Sequence, residues 1–500
     1  MLSLTPPTFE DFERETVRGN VVPVTRVVLA DLQTPLGAFI RIAGDTPHAF
    51  LLESIEGAER LARYSFIGAN PSMIVRARGN KTAIQQDDRE ELVDQNAIDF
   101  IRTYFRGKTL ARRPGLAPFC GGAVGYLGYD AARWFEPVLA RNASGASQSS
   151  DAAWMFFRTV LAFDRVQQQI EITSVVFVDE AAGNQKRLRD LYDQALHETD
   201  SIAARLSELA QAPANKATLG QTTVHFQSSW PRAQFEAAVE TVKDHISAGD
   251  CYQVVIAQKF TKPTAADPLA IYRALRATNP SPYMFFLRMG SEAIVGSSPE
   301  MLVRCHGQRL DYRPIAGTRQ RGATEAEDWM LGEEMRHDEK EVAEHTMLVD
   351  LGRNDLGRVS DYGTVKVDEL MKVERYSHVQ HLVTSLRSRL RDDLDRFDAL
   401  ASCFPAGTVT GAPKIRAMQI VDELEPGKRG IYAGAVLYVD YADNLDSCIA
   451  IRTIHLRDEI ATVQAGAGIV ADSVPEREYE ECVNKARALF RAIELAEKGL

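Results

Sequence analysis

Four apolar, strand-like runs follow one another at residues 284–287, 293–296, 301–305 and 310–315, with only short connections between them. A parallel pair needs a crossover of about a dozen residues or more, so connections this short leave room only for strands that double back. The run therefore favours an antiparallel sheet over a doubly wound parallel one. Around it, helical and strand patterns alternate. Phe235, Val239, Val242 and Ile246 recur at helical spacing behind Pro231, and Gly249 ends that helix. Residues 251–260 read as a strand, and Asp267-Pro268 opens a helix that stops before Asn279-Pro280. The expected architecture is α/β of the α+β type, with large antiparallel sheets forming a sandwich and helices packed outside.

The first part of the chain carries a hairpin pattern at 159–178 and a helix marked by Leu188, Leu191, Leu196, Ile202, Leu206 and Leu209. Residues 142–150 are a small, polar, low-complexity run that reads as a loop. Residues 211–220 read as a linker, which divides the chain into 1–220 and 221–500.

Net charge and cysteine usage narrow the class. A charge of −11 gives no global basic field for nucleic acid or an anionic membrane, although a locally basic pocket is compatible with it. Six cysteines in 500 residues, with no CxxC pair, suit a reduced compartment. The first residues lack a signal-peptide pattern, and no apolar run approaches about 20 residues. A cytoplasmic protein without nucleic-acid or membrane partners is expected.

Several segments carry chemistry. In the helix that runs from Asp338 to Asp355, Glu341, Glu344, His345 and Leu348 share one face. A salt-bridged surface helix would show the same acidic pattern. Near the C-terminus Tyr479, Cys482, Ala486, Phe490 and Ile493 form a buried stripe, with Glu481 and Lys485 one turn apart on an adjacent face. A carboxylate from each of two distant helices suits Mg²⁺, which takes few protein oxygens and bridges to an anionic ligand. Phe404-Pro-Ala-Gly-Thr-Val-Thr-Gly-Ala-Pro-Lys414 is not a P-loop, because Ala412-Pro413 separate glycine from lysine. It is nonetheless expected to cradle an anion with its glycines, hydroxyls and lysine. The turn at Ala465-Gly-Ala-Gly-Ile469 offers backbone amides to a carboxylate.

Taken in order, these segments resemble the chorismate-using enzymes, whose members make anthranilate, aminodeoxychorismate, isochorismate or salicylate. The resemblance spans most of 225–495, with an N-terminal part from about Leu51. It rests on Gly249-Asp-Cys-Tyr-Gln-Val-Val255, Gly296-Ser-Ser-Pro-Glu-Met301, Arg313-Pro-Ile-Ala-Gly-Thr-Arg319, the acidic helix and Phe404–Lys414. Gly430-Ile-Tyr-Ala-Gly434, Ala450-Ile-Arg-Thr453 and Glu481-Cys-Val-Asn-Lys485 complete it. On this resemblance 221–500 is the chorismate-binding catalytic domain, and 1–220 an N-terminal domain carrying part of a regulatory site.

Two positions choose among the branches. Members that add water to chorismate resemble one another in a lysine base where this chain has Gln253, and glutamine cannot deprotonate water. Aminodeoxychorismate-forming members typically place a nucleophilic lysine where this chain has Ala316. Direct attack by ammonia is what remains, giving anthranilate and pyruvate. The alternatives are an aminodeoxychorismate-forming member that lacks the lysine, or an inactive regulatory member.

The resemblance implies that ammonia adds at ring C2 as the C4 hydroxyl leaves, and that pyruvate is then eliminated. It assigns Glu300 as the acid for the hydroxyl and His381, with His378 as a neighbouring alternative, to the elimination. Gln253 and Thr408 complete the catalytic set. Thr318, Thr408, Tyr432, Arg452, Gly466, Ala467, Gly468 and Lys485 would bind the substrate, and Glu344 and Glu481 would hold Mg²⁺. No cysteine has the setting of a glutaminase nucleophile, so ammonia would come from a partner glutaminase subunit. Leu51-Leu-Glu-Ser54 and Asn279-Pro-Ser-Pro-Tyr-Met284 resemble the family's tryptophan-sensing segments. Leu52, Glu53, Ser54, Asn279, Pro282, Tyr283, Met284 and Cys448 would then form a feedback site for L-tryptophan, with Glu53 meeting its amino group. Lys259 departs from the arginine more usual in the family, which loses a bidentate fork.

Overall fold

The computed structural model describes residues 3–44, 46–55, 63–87, 89–142, 150–208, 226–376 and 379–499. Among them the named strands pair antiparallel throughout, in two sheets of 13 and 12 strands. The 284–315 meander lies at the middle of this arrangement. Tyr283–Met289 and Glu292–Ser298 pair in the first sheet, Met301–His306 and Arg309–Tyr312 pair in the second, and the chain crosses between sheets at Pro299-Glu300. The antiparallel sandwich expected from the short connections is what forms.

Both faces of the central strands are buried, which explains their near-continuous apolar sequences. On Tyr283–Met289, Phe285 enters the core between the sheets, while Phe286 points outward beneath helices. Strand geometry sends neighbours to opposite faces, so each needs its own apolar layer. Phe285 stands opposite Gly296 in the register, and its ring fills the space a side chain there would need. The helices Pro35–Ala43, Gln185–Ser207, Pro268–Thr278 and Pro475–Glu497 cover the outer face of the first sheet.

Each sheet draws strands from both sides of residue 220. His48–Glu53 pairs with Tyr283–Met289 in one, and Gly122–Leu127 pairs with Ala435–Asp440 in the other. The expected linker lies outside the described residues, as does most of the 142–150 loop. Among the described residues no helix is long and apolar enough to cross a membrane, and all six cysteines are free and buried.

Candidate functional site

The strand Ile315–Gln320 pairs with Val379–Arg389 and then bulges between Ala316 and Arg319. Gly317 sits at the bulge with φ of 64°, a conformation that favours glycine. The bulge turns the Gly317 carbonyl toward the imidazole of His381, 2.7 Å from Nδ1. A carbonyl only accepts, so Nδ1 carries the proton and Nε2 keeps its lone pair. The Thr318 hydroxyl lies 3.2 Å from the same nitrogen. Burial lowers the His381 pKa, and Arg452 adds to the effect, so the ring is a neutral base. His378, the alternative, lies outside the described residues. The two arginines that flank this motif are spent on carboxylates. Arg313 pairs with Glu374 at 2.5 Å, and Arg319 pairs with Glu341 at 2.8 Å and Asp338 at 3.0 Å.

Glu300 occupies the crossing between the sheets, where the Ile449 amide donates to its carbonyl at 3.0 Å. Its side chain is buried, and burial pushes the carboxyl up to about 8. The Thr408 hydroxyl and the Ile315 amide oppose that shift without cancelling it. Thr408 Oγ1 is itself buried and makes no hydrogen bond of good geometry, so it remains available to a ligand.

Gln253 begins the strand Gln253–Pro263, which pairs with Ile460–Ile469. Its amide lies over Gly468, in the place a side chain there would take. The adjacent strand Thr453–Arg457 reaches only to Val463 in the register, so the Gly466–Gly468 stretch keeps an edge free of strand pairing. The Tyr432 hydroxyl lies over Gly466, 3.0 Å from where a Cβ would stand. Lys485 Nζ donates to the Gly466 carbonyl at 3.0 Å and pairs with Glu481 at 2.6 Å. Arg452 takes φ of 49° just before Thr453–Arg457. Among the described residues its guanidinium forms no ion pair, although Tyr432 and Glu481 lie close enough to offset part of the effect of burial.

Glu344 lies on the helix Glu339–Gly357 and Glu481 on Pro475–Glu497. Burial raises the Glu344 pKa, and the charges of Glu341 and Glu481 raise it further. Glu478, one turn before Glu481, is raised by burial and by that same neighbour. The sequence reading passed over Glu478, although its i,i+3 spacing to Glu481 was visible. Carboxylates whose charge is disfavoured by a neighbouring carboxylate, as at Glu344, suit a dication, and two protein oxygens suffice for a hard ion that keeps its waters. Among the described residues no group of three or more His, Cys, Asp or Glu side chains is gathered at metal-binding distance. His345, on the same helix face by sequence, is buried against Thr384 Oγ1 at 2.6 Å, with its pKa near 4.

Lys414 corrects one reading. Its amine pairs with Asp355 at 2.8 Å and also reaches the Cys403 carbonyl, so it pins the turn from behind and does not meet an anion. Lys259 donates to the Lys428 carbonyl at 3.1 Å.

A cavity lies between the sheets, beyond Glu300. Leu52, Glu53, Ser54, Pro282, Tyr283, Met284 and Cys448 all line it. Asn279 does not. It donates to Ser297 Oγ at 2.7 Å behind the wall. Among the described residues Ser54 Oγ is buried without a partner. Glu53 already accepts from Tyr272 at 2.6 Å and Arg276 at 3.0 Å. Arg304 and Asp446, paired at 2.7 Å, complete the polar lining. Arg304 interrupts an apolar strand, which was the one sequence signal for them.

A sequence model of the family described as chorismate binding enzyme matches residues 47–491. Anthranilate synthase component 1 of Acetivibrio thermocellus is 46% identical over 98% of this chain and 99% of its own length. That of Pseudomonas aeruginosa is 42% identical over 98% and 99%. Among solved structures, anthranilate synthase component I from Streptococcus pneumoniae superposes with a TM-score of 0.75 at 34% identity, covering 92% of this chain and 98% of that one.

Proposed function

The chain belongs to the chorismate binding enzymes, and on that premise we propose that it is the large subunit of a Mg²⁺-dependent, tryptophan-inhibited anthranilate synthase. It converts chorismate and ammonia to anthranilate, pyruvate and water. One observation carries this reading: a buried carboxylic acid, Glu300, faces Thr408 in a site where positions 253 and 316 hold glutamine and alanine. The site offers a proton donor but neither a lysine base for water nor a lysine nucleophile at those positions.

Ammonia needs no base to become a nucleophile. As it adds at ring C2, the C4–O bond breaks, and Glu300, protonated near pH 7, supplies the proton that lets hydroxide leave as water. His381 Nε2 then removes the C2 proton, the bond to the enolpyruvyl oxygen breaks, and pyruvate departs as the ring becomes aromatic. Arg452 and Lys485 face the substrate's carboxylates with the Gly466–Gly468 backbone, a local basic wall in an acidic protein. Glu344 and Glu481 would hold Mg²⁺, whose charge offsets that of the ring carboxylate. Ammonia comes from a separate glutaminase, since every cysteine here is buried and none presents a reactive thiolate.

The deciding experiment incubates the purified chain with chorismate, Mg²⁺ and ammonium. Anthranilate fluorescence without any added lyase is expected. A stable amino product that still bears the enolpyruvyl group would establish the aminodeoxychorismate branch in its place, and no turnover would mark an inactive member. Inhibition by L-tryptophan in the same assay tests the role of the inter-sheet cavity.

A further inference from the structure

Arg429 lies outside every motif above, yet it is among the most buried charges in the chain, with its side chain 1% exposed. Its guanidinium donates to the Val409 carbonyl at 2.7 Å, the Val255 carbonyl at 2.7 Å and the Glu425 carboxylate at 2.5 Å. Glu425 Oε1 in turn accepts from the Ala257 amide at 2.8 Å, and the Arg429 carbonyl accepts from Gln464 at 2.6 Å. The rings of Tyr129 and Tyr432 lie 4.6 and 5.8 Å from the guanidinium carbon. All but the Tyr129 contact end on, or beside, an element that carries a substrate-facing group. Val409 follows Thr408, Val255 is two residues from Gln253, Ala257 is the register partner of Gly466, and Tyr432 overhangs that glycine.

Such a pair is a poor means of adding stability. Desolvating both charges costs several kcal/mol, and apolar replacements of buried pairs are often neutral or better. What a planar guanidinium does supply is several donors in fixed directions, which one ammonium cannot reproduce. We propose that Arg429, held by Glu425, is a positioning residue that sets the Thr408 hydroxyl against Glu300 by clamping the Val409 carbonyl to the Gln253–Pro263 strand. This rests on the reading of Thr408 as a substrate-facing group.

A double-mutant cycle tests it, with R429K, T408V and the double variant followed by chorismate consumption at saturating and limiting substrate. R429K should lower kcat on the order of ten- to a hundredfold, as expected for a group displaced by about 1 Å. KM should change much less. The double variant should be no slower than T408V, because the clamp acts through the hydroxyl already removed. Multiplicative losses, or an R429K kcat equal to wild type, would overturn the proposal. If R429K does not fold, E425Q loosens the same clamp and is read in the same cycle. Following chorismate keeps the test separate from the proposed reaction. A wild-type product other than anthranilate sinks that reaction and leaves the cycle readable. For a chain that binds chorismate without converting it, the cycle is read in calorimetric Kd, where the same non-additivity is required.

Discussion

On the proposed reading, Glu300 and His381 supply the acid and the base at the scale of single residues, through opposite protonation states with one shared cause. Burial disfavours charge on both, so the carboxyl stays protonated up to about 8, and the imidazole stays neutral below its ordinary 6.5. An acid and a base therefore coexist near pH 7. With free ammonia held saturating, turnover should fall as pH rises through about 8 and fall again on the acid side below 6.5, which a pH–rate profile measures. E300Q should lose about 10²- to 10⁴-fold in kcat and with it the alkaline limb. A retained alkaline limb would assign that titration elsewhere. Stability follows with its own sign. The Glu300 pKa is raised on folding, so its contribution is complete below 4.5 and is lost as pH rises toward 8. E300Q should flatten that decline in denaturant midpoint. The glutamate was legible from its motif, but its protonation state was not, because that depends on what the fold packs around it.

At the scale of elements, the site is made where strands stop pairing regularly. Gly411 has φ of 133°, and a side chain there would collide with the Gln253 carbonyl, a backbone atom that cannot swing aside. G411A should cost about 2–4 kcal/mol in urea unfolding. G468A meets only the movable end of the Gln253 side chain. It should cost about 1 kcal/mol or less, while displacing that amide and lowering kcat/KM. Comparable destabilisation by the two would contradict this distinction. The facing helices give a third case. Mg²⁺ at 100 times its Kd should stabilise the protein by about 2.7 kcal/mol, seen as a rise in Tm. E344Q with E481Q should abolish that rise, and EDTA should abolish turnover. Helix periodicity placed Glu344 on the face that turns toward Glu481. It also placed His345 and Glu341 there, and only packing turned one onto Thr384 and the other onto Arg319.

Across the whole molecule, a short stretch of chain joins the wall of the inter-sheet cavity to the Glu300 crossing. Pro282 and Tyr283 line the inter-sheet cavity, Ser281 Oγ donates to the Ser298 carbonyl at 2.5 Å, and Glu300 follows two residues later. On the proposed reading, a ligand in that cavity would bear on the crossing that carries the acid. C448F, which fills the cavity from Met301's register partner, should leave turnover intact and remove tryptophan inhibition in a dose–response measurement. Unchanged inhibition would place the effector elsewhere. The short connections at 284–315 by themselves favoured antiparallel pairing, since a parallel pair needs a longer crossover. Residue identity at Gln253 and Ala316 likewise excluded a lysine base and a lysine nucleophile, whatever the fold. The tertiary structure alone decided which charges were already spent. Lys414 belongs to Asp355, Arg319 to Glu341, and Arg429 to the Val255 carbonyl. These pairings join residues far apart in sequence, and local pattern carries no information about a partner that only the folded chain brings within reach.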